Sequence, residues 1–115
     1  PEAEFVDMAR AAGCAVMLTQ DAAAAANGAD VVVTDTWVSM GQDDSAEKLA
    51  AMEPYRVDTA LMAQAKTDAV FLHCLPAHVG EEITADVLYG PRCLAWEQAE
   101  NRLHTQKALM ALVIR

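Results

Sequence analysis

The sequence predicts an α/β domain: a three-layer, Rossmann-like arrangement with a mainly parallel sheet flanked by helices. Three short apolar runs, Ala15-Val16-Met17-Leu18-Thr19, Asp30-Val31-Val32-Val33-Thr34 and Ala69-Val70-Phe71-Leu72, are continuous rather than alternating. That is the pattern of strands covered on both faces. Helical patterns separate them, and parallel neighbours need the crossover connections that helices supply. A chain of 115 residues and 12.3 kDa is enough for one core.

The elements follow in order. From Glu4 the apolar positions Phe5, Met8, Ala9 and Ala12 recur at helical spacing, and Gly13 supplies the stop. After the first strand, Asp21 is placed to cap an alanine helix that ends at Asn27-Gly28. The second strand leads into a polar loop, Asp35 to Asp44, and then a short helix over Ser45 to Met52. Glu53 to Val57 is a connection, and Asp58 caps a helix through Ala65. The third strand runs directly into His73-Cys74-Leu75-Pro76. A helix over Ile83 to Tyr89, a short run at Cys93-Leu94-Ala95 and a long helix from Glu97 to Ile114 complete the pattern.

Composition narrows the function classes. Eight Lys+Arg against 17 Asp+Glu give a net charge of -9, so a nucleic-acid or anionic-membrane surface is not expected as partner, since both need clustered cations. No apolar run approaches the roughly 18–20 residues of a membrane span. Three cysteines, Cys14, Cys74 and Cys93, form no disulfide framework and point to a reducing compartment. Pro1 to Phe5 carry no basic or apolar leader and the chain does not begin with Met, which suggests a natural start removed by processing or truncation.

In parallel sheets ligands sit at the carboxyl ends of strands. Two unusual polar stretches begin there, Asp35-Thr36-Trp37-Val38-Ser39-Met40-Gly41 and His73-Cys74-Leu75-Pro76-Ala77-His78, and they should converge on one crevice. In the first, Asp35 suits an ammonium, Ser39 can donate or accept, and loop N–H groups suit a carboxylate. Read without a ligand, Asp35 and Ser39 simply bond to neighbouring backbone. In the second, Cys74 is a candidate nucleophile or substrate contact, or a plain buried thiol. A zinc set of His73, Cys74, His78 and Cys93 is disfavoured, because adjacent ligands point differently and no C-x-x-C pair exists. Arg102 offers a fork of donors for a phosphate or carbonyl oxygen, or else pairs with Glu97 or Glu100 on the helix surface. His104 and Lys107 read as surface residues. Neither G-x-G-x-x-G nor a P-loop occurs, and the scattered acids form no glycosidase-like pair.

Taken in order, Asp35-Thr36-Trp37-Val38-Ser39-Met40-Gly41, His73-Cys74-Leu75-Pro76 and Glu100-Asn101-Arg102 closely resemble the ornithine carbamoyltransferase family, over essentially the whole chain but only the C-terminal part of the family's polypeptide. The resemblance implies transfer of a carbamoyl group from carbamoyl phosphate to the δ-amino group of L-ornithine, without metal or organic cofactor. It implies that Asp35 and Ser39 contact the α-ammonium and Met40 the carboxylate, through its N–H. Cys74 falls at the proton-accepting or amine-orienting position, the Cys74 and Leu75 backbone meets the carbamoyl group, and Arg102 reaches carbamoyl phosphate. His73 and Pro76 are expected to shape the turn. Trimeric assembly, small-molecule substrates alone and, with the alanine-rich composition, a cytoplasmic setting are further expectations.

The family's Ser-x-Arg-Thr-Arg and His-Pro-x-Gln stretches do not occur here. The expectation is therefore that residues 1–115 form most of an ornithine-binding domain, lacking the carbamoyl-phosphate-binding half and inactive alone. A non-catalytic α/β binding module, or a carbamoyltransferase for another amine acceptor, are the alternatives. The end of the last helix, Leu109 to Ile114, is apolar almost all round and should need a partner surface.

Overall fold

In a computed structural model of the chain, residues 1–38 and 46–114 are described. Helix α1, Ala3–Ala11, ends where Gly13 takes φ +84°. Helix α2, Ala22–Ala26, begins at Asp21, whose carboxylate accepts from the Ala24 N–H at 3.0 Å, and it is followed by Gly28 at φ +69°. Both glycines occupy the left-handed region that a Cβ disfavours, which is why these helices stop there. Strand β1, Val31–Thr34, precedes helix α3, Ala46–Met52, a 3-10 turn over Glu53–Tyr55 and helix α4, Thr59–Met62. Asp58 caps α4 by accepting from the Leu61 N–H at 2.8 Å. Strand β2, Val70–His73, helix α5, Ala85–Leu88, and helix α6, Ala95–Val113, follow.

β1 and β2 pair in parallel with Val31 opposite Val70 and Thr34 opposite His73. On its other side β2 meets the Arg92–Leu94 stretch: the Phe71 N–H donates to Arg92 C=O at 2.8 Å and the Leu94 N–H to Phe71 C=O at 2.9 Å. β2 is thus the inner strand. Beneath it Phe71 packs with Val57, Met62, Ile83, Val87, Leu88, Cys93 and Ala95. This core is where the small elements α4 and α5 attach, since neither could form alone at four residues.

Several expectations are corrected. Ala15 to Thr19 forms no strand, and Met17 and Leu18 are exposed. Apolar content licenses a strand only where a ladder partner is present, and no described residue pairs with that segment. β1 is not covered on both faces, because Val31 and Val33 are exposed. The helix expected over Ile83 to Tyr89 is Ala85–Leu88 alone; fully buried Ile83 instead bridges Val57 and Val79. α4 is shorter than Asp58 to Ala65, and α6 starts two residues early, at Ala95. Phe5 and Met8 of α1 face outward. The apolar end of α6 is open as expected, with Leu109, Met110, Leu112, Val113 and Ile114 all at least half exposed.

Phe71 is fully buried at the centre of the core. Phe71→Ala should lower the unfolding free energy by about 3–5 kcal/mol, while Leu112→Ala should change it by less than about 0.5 kcal/mol. Urea denaturation of the two variants checks this; equal midpoints would contradict the placement of the core.

Candidate functional site

Parallel register does the first piece of positioning. Thr34 and His73 are cross-strand partners at the last residues of their strands, so Asp35 and Cys74 leave the sheet side by side. The Cys74 thiol donates to Asp35 Oδ1 at 2.9 Å, and the Thr36 N–H donates to the same oxygen at 2.7 Å. Asp35 is exposed, and no hydrogen bond to its Oδ2 is present among the described residues.

The second piece is a buried polar anchor. His73 and Glu82 are both fully buried. His73 Nδ1 accepts from the Leu75 N–H at 2.8 Å, so the proton of the neutral ring sits on Nε2, which lies 3.3 Å from Glu82 Oε1. The Nε2–Oε1 contact is an off-axis approach rather than a well-aligned hydrogen bond. Oε1 also accepts from the His78 N–H. Glu82 thereby ties the strand end to the turn beyond it, and His73 has the turn-shaping part expected of it. Leu75 takes φ +57°, a conformation costly for a side chain with a Cβ, and its N–H bond to His73 offsets that cost. The Leu75–Pro76 bond is cis. With the Leu75 N–H engaged, the Leu75 carbonyl is the backbone group left to meet a ligand.

A second bond joins the two loops: Thr36 Oγ1 lies 3.0 Å from His78 Nδ1. Arg102 stands on the side of α6 that faces β2, lining a hollow of about 460 Å³ with Leu72, Leu94, Glu97, Gln98 and Asn101. It makes no ion pair or hydrogen bond among the described residues; Glu100 pairs instead with His104, at 3.3 Å. Its positive charge is felt at Cys74, where it favours the thiolate. Ser39 and Met40 lie outside the described residues.

The protonation states follow from these contacts. Hydrogen bonds from Cys74 first and the Thr36 N–H second hold the Asp35 carboxyl below the usual carboxylate range, against a smaller opposing effect of burial. The same Asp35 bond is the largest influence on Cys74 and raises its thiol, with burial and the Asp35 charge adding in the same direction against Arg102. At neutral pH the pair is therefore carboxylate and thiol, a negative charge beside a neutral donor. The zinc set of His73, Cys74, His78 and Cys93 does not assemble among the described residues, because His73 Nδ1 is engaged and Cys93 is buried in the core.

Glu82 and Thr36 were not singled out from the sequence. The i,i+4 spacing of His78 and Glu82 was the available signal, but it marks surface pairs far more often than buried anchors. Because thiolate is the reactive form, Cys74 should alkylate more slowly than exposed Cys14 between about pH 7 and 9. Asp35→Asn should shift the Cys74 rate profile to lower pH. Mass spectrometry of the modified peptides checks it, and an unchanged profile in Asp35→Asn would contradict the contact.

Known proteins resemble the chain over nearly its whole length. The family model described as aspartate/ornithine carbamoyltransferase, Asp/Orn binding domain, matches residues 1–113. An ornithine carbamoyltransferase from Rhizorhabdus wittichii is 59% identical over 110 residues, 96% of this chain and 36% of that protein. One from Caulobacter vibrioides is 59% identical over 111 residues, 95% of this chain and 36% of that protein. The chain thus spans about a third of the length of the curated relatives it matches. Among solved structures, an ornithine carbamoyltransferase from Pyrococcus furiosus superposes with TM-score 0.90 at 43% identity, over 99% of this chain and 38% of that one. The shared fold is the α/β, Rossmann-like one that the strand and helix pattern predicts. With the family model covering nearly every residue, the chain belongs to the aspartate/ornithine carbamoyltransferase family and corresponds to its Asp/Orn binding domain.

Proposed function

We propose that residues 1–115 are the amino-acid-binding domain of an ornithine carbamoyltransferase, which transfers the carbamoyl group of carbamoyl phosphate to the δ-amino group of L-ornithine. The observation that carries this reading is the Asp35–Cys74 pair at the carboxyl ends of two paired parallel strands. The names of the close relatives support the choice of ornithine as the amine.

In this reading Asp35, through its unengaged Oδ2, and Ser39 hold the α-ammonium of ornithine, and the Met40 N–H holds its carboxylate. Charge-assisted bonds of this kind fix orientation as well as affinity. The δ-ammonium of ornithine must lose a proton to solvent before the amine can attack. Cys74, kept protonated by Asp35, is a substrate contact that orients the amine and not the resting base. As the new C–N bond forms, the carbonyl π electrons move to oxygen, and Arg102, which has no ion pair among the described residues, stabilises that charge. The oxyanion electrons then re-form the carbonyl as the C–O bond to phosphate breaks, phosphate leaves with the electron pair of that C–O bond, and the nitrogen passes its second proton to the departing phosphate. The Cys74 and Leu75 backbone contacts the carbamoyl group, with the Leu75 carbonyl suited to its amide N–H.

The remaining phosphate ligands belong to a carbamoyl-phosphate-binding half that residues 1–115 do not carry. The same reading includes a trimeric, cytoplasmic enzyme of arginine biosynthesis. Among the described residues no helix is long and apolar enough to cross a membrane.

Calorimetric titration with L-ornithine, with and without carbamoyl phosphate, tests the assignment. Asp35→Ala should weaken binding on the order of 10-fold or more, as loss of a charge-assisted bond does. Wild-type affinity in Asp35→Ala would sink it.

A further inference from the structure

We propose that His78, Glu81 and Glu82 form a binding site for one divalent transition-metal ion, with zinc the best match to the donor set. The turn that follows the Cys74 loop builds it. The Glu81 N–H donates to His78 C=O at 3.0 Å and the Gly80 N–H to Ile83 C=O at 2.8 Å. Gly80, at φ +97°, allows the reversal. From outside, Arg56 Nε donates to the Glu81 carbonyl at 2.7 Å and pins the turn. As a result one ligand atom from each of the three side chains lies within 4.8 Å of the others.

Two observations lift this above a chance cluster. First, Glu82 is fully buried, and although its Oε1 accepts a hydrogen bond, its Oε2 has no hydrogen-bond partner among the described residues. A buried carboxylate oxygen left unpaired is costly, and a cation would satisfy it. Second, Oε2 lies 3.8 Å from His78 Nδ1. Zinc bonds of about 2.0–2.2 Å to imidazole nitrogen and carboxylate oxygen at a tetrahedral angle put two ligands about 3.4 Å apart, so a small closure suffices. His78 is exposed and Glu81 half-buried, which leaves the outer side open for water to complete the coordination. One imidazole with two carboxylates suits zinc and its neighbours better than calcium or magnesium, which favour all-oxygen shells.

Occupancy would reach the neighbouring crevice. His78 Nδ1 now lies 3.0 Å from the Thr36 hydroxyl, and that hydroxyl also bonds Val38 C=O at 3.2 Å. A metal on Nδ1 displaces the Thr36 contact and leaves the hydroxyl to Val38, so the loop carrying Asp35 loses one of its ties to the loop carrying Cys74. The metal site uses neither Asp35 nor Cys74 as a ligand.

Zinc chloride alone, titrated calorimetrically into the purified protein at neutral pH, is the test. One ion per chain is expected, with affinity lowered about 10-fold or more in His78→Ala and also reduced in Glu81→Gln, while Cys74→Ser binds as wild type. Cobalt(II) in place of zinc should give a visible spectrum without a thiolate charge-transfer band. His78 is a surface side chain, and circular dichroism of His78→Ala confirms that the variant is folded. Absence of saturable zinc binding, wild-type affinity in a folded His78→Ala, or loss of binding in Cys74→Ser would each overturn the proposal.

Discussion

The parallel pairing of β1 with β2 in one register is the constraint on which the rest depends. Side chains alternate along a strand, so a slip of one residue would turn every inward group outward. With Thr34 opposite His73, the strands end level, and the first residues beyond them, Asp35 and Cys74, emerge together. Fully buried Phe71 under β2 and His73 at its end hold that register from the core side. What brings Asp35 and Cys74 together is thus an ordinary feature of a parallel sheet, two loops leaving the same edge.

Electrostatics then divides the work among three groups. Asp35 gains from Cys74 and the Thr36 N–H and stays ionised; Cys74 is held protonated by the same bond. A carboxylate and a thiol that share one hydrogen bond shift in opposite directions, as they must when the bond stabilises the anion of one and the acid of the other. Arg102 sits apart on α6 with its guanidinium free of acidic partners among the described residues. Asp35 thus places negative charge beside the Cys74 thiol, while the positive charge of Arg102 acts on that thiol from the side of α6.

Much of this frame was legible in the sequence. The β-branched run before Asp35 and the apolar run before His73 marked both paired strands, and Asp21, Asp58, Gly13 and Gly28 marked helix boundaries by side-chain chemistry that acts locally. The meeting of the two loops followed from strand polarity alone. Less was legible where long-range partners decide. Ala15 to Thr19 has strand composition, but a strand is defined by its neighbour, and composition carries no information about that. Glu82 reads as one of 17 acids, and its burial depends on His73 being delivered to it by a turn. The Leu75 N–H was open in the sequence and is committed in the fold, for the same reason.

The claim underlying all of this is that Asp35 and Cys74 are neighbours across the sheet edge. Disulfide trapping tests it most directly, with Asp35→Cys introduced in a Cys14→Ser background and the protein oxidised mildly. Bridged residues need Cα atoms within about 7 Å, which adjacent strand ends satisfy. Peptide mapping should find the introduced thiol linked to Cys74 in most of the protein. A thiol that stays free, or links only between molecules, would contradict the register and with it the site.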